Sequence, residues 1–233
     1  MTLRYPEALP LRHDLREGHA AAWADIARPG VSWTGAERLA ILAEARAALD
    51  CSLCAARKSA LSPNAVEGDH DSASALAAPI VDGIHRLRTD PQRLTRAWFD
   101  SLVPDQLSQP AYAELVSVVC TSVIIDTQHN ALGLPVADLP DAIEGEPGGD
   151  LLDDTVDIGA WLPVMKTEAD LADTGLPSVP NIARAMSLVP SAAALFFGAF
   201  RPHYQLQKIP LAINQAQAEF IASRVSALNQ CFY

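Results

Sequence analysis

The clearest hydrophobic pattern begins at Thr34, where TGAERLAILAEARAAL places apolar residues at helical spacing behind a Thr34/Glu37 capping-box signature. CSLCAARKSAL follows without a break. Residues 62–76, SPNAVEGDHDSASAL, have a loop composition, and a helix is expected from Pro79 to Leu87. TDPQRLTRAWFDSL reads as another helix, with Asp90 as cap and Pro91 in its first turn. PAYAELVSVVCTSVIIDTQHNALGLP is the strongest helical pattern, with Leu115, Val118, Val119, Ser122 and Ile125 on its buried face and Gly133 and Pro135 as stops. A further helix is expected over Asn181–Phe200, interrupted at Pro190. The last runs from Asn214 to Leu228, with Ile221, Val225 and Leu228 as one apolar stripe.

Between these patterns lie less regular stretches. Residues 1–33 mix Pro, Arg, His and Trp without a clear period and read as an irregular arm packed by Trp23 and Trp33. Residues 134–159 carry eight acidic side chains and no basic ones, the composition of a solvated linker. The expected organisation is therefore an all-α helical bundle of two related halves, 34–135 and 178–233, joined by an acidic and irregular segment over 136–177.

Composition sharpens this picture. Hydrophobic residues make up 49% of the 233, enough for a buried core, while the 6% aromatic content and abundant alanine and leucine favour helices over sheets. A net charge of −11 repels phosphate backbones and anionic headgroups, which argues against nucleic-acid and membrane-surface partners. No apolar stretch is expected to reach a bilayer span, and MTLRYPEALPLRHD lacks a signal-peptide core, so the expected location is cytoplasmic.

The four cysteines, Cys51, Cys54, Cys120 and Cys231, are too few for a disulfide framework. Cys120 sits in an apolar run and reads as a small buried hydrophobe. Cys51 and Cys54 stand at i and i+3, where two thiols at a helix start share a face and can interconvert with a disulfide. Asp50 is the expected cap, with Arg57 and Lys58 adding positive charge one turn on. Two other readings stay open. The pair could be half of a zinc site, although zinc needs two further ligands and neither a second cysteine pair nor H-x₃₋₅-H is present. It could also be an inert pair in a core helix. His70 and His85 are assigned no role, and Asp126 with His129 reads as a local ion pair.

A weak repeat links ERLAILAEARAALDCSLC to AEFIASRVSALNQCFY, each an alanine-rich helix ending in a turn residue and a cysteine. The second copy, EFIASRVSALNQCFY, resembles the active-site stretch of alkylhydroperoxidase D-like proteins in the carboxymuconolactone decarboxylase superfamily. Glu219 stands twelve positions before Cys231, and Tyr233 takes the place between the paired cysteines. The segment from Glu37 through YAELVSVVCTSVIIDTQHNALGLP is similar to the family's core helices. It departs where Lys58 replaces a histidine and where Glu37 lies fourteen residues before Cys51.

The resemblance implies a helical bundle that assembles as homo-oligomers, and a thiol peroxidase chemistry with no cofactor or metal. Its substrate would be a small hydroperoxide and its second partner a thiol reductant. Cys231 would act with Glu219 as base through Tyr233, and Cys51 and Cys54 would form a second site. The family's next cysteine falls one position after Tyr233, and a selenocysteine there, its codon read as a stop, is the expectation drawn from that coincidence. The alternatives are a non-catalytic helical module for oligomerisation or binding, and a decarboxylase-like member of the same superfamily.

Overall fold

In the computed structural model, residues 3–166, 181–204 and 209–229 are described. The architecture grows around the longest apolar pattern, and the fold class is all-α. Nine helices follow in order among these residues: α1 His13–Ile26, α2 Gly35–Ala47, α3 Ser52–Ser59, α4 Ala78–Thr89, α5 Arg96–Leu102, α6 Gln109–Ala131, α7 Asn181–Ala185, α8 Pro190–Phe200 and α9 Gln215–Leu228. Short 3₁₀ turns occupy Pro63–Ala65 and Pro91–Arg93. The strands β1 Thr155–Val156 and β2 Val164–Met165 form one small antiparallel pair, Thr155 opposite Met165.

Helix α6 is the central post. Ser108 caps it by accepting from the Ala111 N–H, and it closes at Gly133, whose φ of 67° only glycine adopts without strain. Leu115, Val118 and Ile125 are fully buried against α2 and α4. The side facing α8 carries polar groups: Ser117 Oγ donates to the Ala192 carbonyl at 2.5 Å, and Thr121, one turn on, is also buried. By length and composition α6 could cross a membrane, contrary to the expectation that no apolar stretch is that long. Its buried Glu114 and Asp126 mark it instead as the core helix of a bundle. Glu114 pairs with Arg38 of α2, and Asp126 receives both Nε and Nη2 of Arg46 at 2.9 and 2.7 Å. The Asp126–His129 pair expected from spacing does not form, because Arg46 takes the carboxylate and His129 Nδ1 bonds the Pro135 carbonyl at 2.6 Å.

Helix α8 packs against both α1 and α6, with Leu195 and Ala199 inside the same core as Trp23, Ile26 and Leu115. Close approach is possible because Gly18 has no side chain: a Cβ there would stand 2.8 Å from the Gly198 carbonyl. The N-terminal stretch is thus not an irregular arm, since α1 supplies Leu15, Ala22, Trp23 and Ile26 to the core. The acidic segment after α6 also lies on the body. Ile143 N–H donates to Ala27 O, Gly148 N–H to Gly30 O and Leu152 N–H to Leu188 O. Pro91 begins only a 3₁₀ turn, and the next helix starts at Arg96, where Thr95 caps the Trp98 N–H. The final helix, expected over Asn214–Leu228, begins at Gln215 with Asn214 as its cap and a reciprocal Gln217 bond, yet Ile221, Val225 and Leu228 are exposed rather than buried.

Candidate dithiol site

The site is assembled from three consecutive pieces of chain. Cys51 is the N-cap residue of α3, and Cys54 occupies the third helical position. Asp50, the expected cap, is exposed, and Cys51 in the N-cap position makes no capping bond with its own side chain. Both thiols are free and buried, Cys51 at 1% and Cys54 at 5% exposure. The loop after α3 is held by two carboxylates. Asp71 accepts from the N–H and Oγ of Ser52, each at 2.8 Å, and Glu44 of α2 accepts from Ser72 Oγ at 2.5 Å and the Ala73 N–H at 2.9 Å. That anchoring carries His70 over the thiols, while α4 brings His85 beside it, the two ring centroids 4.3 Å apart.

The geometry is tight. His70 Nδ1 lies 3.5 Å from Cys51 Sγ and 3.7 Å from Cys54 Sγ, and His85 Nδ1 lies 3.3 Å from Cys54 Sγ. One donor atom from each of these four residues falls within 4.8 Å of all the others. Each imidazole turns its far nitrogen to a carboxylate: His85 Nε2 to Glu44 Oε2 at 3.0 Å, and His70 Nε2 to Asp82 Oδ1 at 3.0 Å. Asp82 is held in turn by Arg57 at 2.5 Å and Arg86 at 2.8 Å.

These contacts decide the charges. Burial pushes the Cys54 thiol up, but hydrogen bonds to His70, His85, Thr89 and Cys51 outweigh it and bring the group down to about 6. Burial raises Cys51 too, and the N–H groups of Cys54 and Asp71 with His70 hold it below its ordinary value. Desolvation lowers His70, yet Asp82 and the two sulfurs raise it to about 10. The same opposition raises His85 through Cys54 and Glu44. Burial of Glu44 is overcome by Ser72, Ser74 and His85, and burial of Asp82 by His70 and Arg57, so both carboxyls lie below their usual range. Cys120 contrasts with the pair, its thiol raised to about 11 by burial alone.

A hollow of about 10 Å³, roughly the room of one water, opens on Cys54 and is rimmed by Arg57, His70, Arg86 and Arg93.

Of the residues singled out in the sequence, Cys51 and Cys54 stand at the centre. Lys58 is exposed, and the Glu37 carboxylate is spent on the Thr34 cap at 2.9 and 2.8 Å, so neither reaches the thiols. Glu219 is half-buried in α9 and is engaged by Tyr204 OH and Gln215 Nε2, each at 2.6 Å. Cys231 and Tyr233 lie outside the described residues. Sequence reasoning missed His70, His85, Glu44 and Asp82. A lone histidine in EGDHD and another in DGIHRLR share no short spacing with CSLC, and only the folded loop brings them together. No family model, curated protein or solved structure matches the chain.

Proposed function

We propose that the chain is a dithiol oxidoreductase that reduces small hydroperoxides at Cys54 and Cys51. The observation that carries this reading is the buried relay of Cys54 Sγ, His85 and Glu44, at 3.3 and 3.0 Å, beside a second thiol three residues away. A neutral core cysteine needs no imidazole and no carboxylate behind it, whereas a nucleophilic thiolate needs both to be held charged out of water.

The Cys54 thiolate attacks the distal oxygen of the hydroperoxide, the O–O bond breaks, and the leaving alkoxide takes a proton from the adjacent imidazolium. Products are a Cys54 sulfenic acid and an alcohol, or water when the substrate is hydrogen peroxide. The Cys51 thiol then attacks that sulfur, an S–S bond forms and water leaves. An external dithiol returns two electrons and two protons. The narrow entrance favours hydrogen peroxide over bulky organic hydroperoxides, and its arginine rim suits a polar substrate. The resemblance of the C-terminal stretch to alkylhydroperoxidase D-like proteins supports the same class of chemistry.

The test is peroxide consumption with a dithiol reductant, followed in parallel by intact mass, on a Cys120→Ser, Cys231→Ser background. Consumption with a reversible mass loss of about two daltons on oxidation is the expected result. Cys54→Ser should abolish it, and Cys51→Ser should trap a sulfenic acid at Cys54. No consumption and no mass change would leave a non-catalytic helical module as the better reading.

A further inference from the structure

We infer that Cys51, Cys54, His70 and His85 form a tetrahedral site for Zn²⁺, and that metal binding and the Cys51–Cys54 disulfide exclude each other. The distances support this independently of any peroxidase activity. A tetrahedral ion with Zn–S of about 2.3 Å and Zn–N of about 2.05 Å requires S···N edges of about 3.6 Å. Three of the four S···N separations here are 3.3, 3.5 and 3.7 Å, and the fourth, Cys51 to His85, lies within 4.8 Å. Thiolate and imidazole together select zinc-like ions over Mg²⁺ or Ca²⁺, which take oxygen donors.

The second observation is the orientation of the rings. A ligating histidine presents one nitrogen as a lone pair and donates its other N–H to a carboxylate or carbonyl. Both imidazoles here turn Nδ1 to the sulfurs and Nε2 to a carboxylate, Glu44 for His85 and Asp82 for His70. Neither carboxylate is free to compete for the ion: Glu44 is saturated by Ser72 and Ala73, and Asp82 by Arg57 and Arg86. The charge balances as well, since two thiolates neutralise the ion, and the protons held by the rings and by any remaining thiol are released on binding.

The exclusion follows from the ligands. A Cys51–Cys54 disulfide removes both thiolates, leaving two imidazoles that cannot hold the ion alone. With a hydroperoxide as oxidant, the two zinc thiolates, one ROOH and two protons give the disulfide, ROH, water and free Zn²⁺. This last step rests on the redox reading above; metal binding to the reduced chain does not.

The experiment uses the full chain, Cys120→Ser and Cys231→Ser, reduced and stripped with a chelator under anaerobic conditions. Titration with Co²⁺ should give the visible bands of a tetrahedral ion and thiolate-to-cobalt charge transfer, saturating at one equivalent and bleached by one equivalent of Zn²⁺. Cys54→Ser, which leaves the Cys51 thiolate, should cut the charge-transfer intensity by about half and cost at least a 100-fold share of the affinity. Glu44→Gln and Asp82→Asn, which alter only positioning residues, should weaken binding roughly 10–100-fold while keeping the tetrahedral spectrum. Octahedral bands, or a spectrum unchanged by Cys54→Ser, overturn the site. Chain oxidised beforehand with diamide should bind no Co²⁺, and undiminished binding there overturns the exclusion. Hydrogen peroxide added to the zinc-loaded chain should release one Zn²⁺ per disulfide. Zinc retained with the thiols intact overturns the peroxidase reading and leaves the metal site supported, whereas a disulfide in a chain that never bound metal does the reverse.

Discussion

At the scale of single residues, the site turns on which proton sits on which nitrogen. Glu44 Oε2 accepts from His85 Nε2, which leaves His85 Nδ1 to meet Cys54. Replacing Glu44 by glutamine keeps the shape and an oxygen for Ser72 and Ala73, but it turns an amide NH₂ toward His85 Nε2. Two donors then face each other, and the ring is driven to the tautomer that carries its proton on Nδ1. Glu44→Gln is therefore expected to slow oxidation of Cys54 by peroxide roughly 10–100-fold, within the range for loss of a positioned acid–base partner. Quenched-flow intact mass would measure it. Ser72→Ala, which leaves the Ala73 N–H on Oε1, should cost far less. Equal losses in the two variants would mean that Glu44 works as an anchor for the loop and not through His85.

At the scale of elements, the boundaries that were legible are those written in local chemistry. The Thr34/Glu37 box forms as read, with Thr34 Oγ1 accepting from the Glu37 N–H at 3.2 Å and Glu37 Oε2 returning to the Thr34 N–H at 2.9 Å. Thr34→Ala is expected to destabilise the protein by about 1 kcal/mol in denaturant titration. The Gly133 stop likewise marked the end of α6. Local chemistry misled at Asp90, whose carboxylate is drawn to Arg93 so that Pro91 opens only a 3₁₀ turn, and at Asp50, which points to solvent while Cys51 takes the N-cap position. α1 was hidden because its buried face includes His19 beside Trp23 and Ile26, so polarity masked the period. The dithiol site was half legible for a related reason. C-x-x-C is a local spacing, but the path that carries His70 back over it depends on Asp71 meeting Ser52, and on Ser72 and Ala73 meeting Glu44, contacts between segments 19 to 29 residues apart.

At the scale of the whole molecule, a second histidine cluster joins segments distant in sequence and gives the fold a pH dependence. Tyr5 OH meets His19 Nδ1 at 2.6 Å, His19 Nε2 meets His203 Nε2 at 2.8 Å, and the His129 ring lies against Tyr5 with centroids 4.9 Å apart. His19 is fully buried, and desolvation, with repulsion from His203 and His129, lowers it to about 4. His203 is lowered by burial and by Arg12. A histidine lowered in the folded state takes up its proton more readily in the unfolded chain. Its stabilising contribution is complete above the ordinary value near 6.5 and is lost as pH falls toward 4. His70 and His85 are raised, so their linkage falls above pH 6.5, while Glu44 and Asp82 act below the ordinary carboxylate range. Between about 6.5 and 4.5 the His19 cluster therefore dominates, opposed by Glu114, whose carboxyl burial raises above its ordinary value, and overlapped at the upper end by Cys54, brought down to about 6. Stability from urea titration is expected to fall there by up to about 3 kcal/mol, the free-energy equivalent of a shift from 6.5 to about 4. His19→Gln should lower stability at pH 7, because Tyr5 and His203 lose their partner, yet flatten the decline between pH 6.5 and 4.5. An undiminished decline in that variant would place the acid sensitivity elsewhere in the molecule.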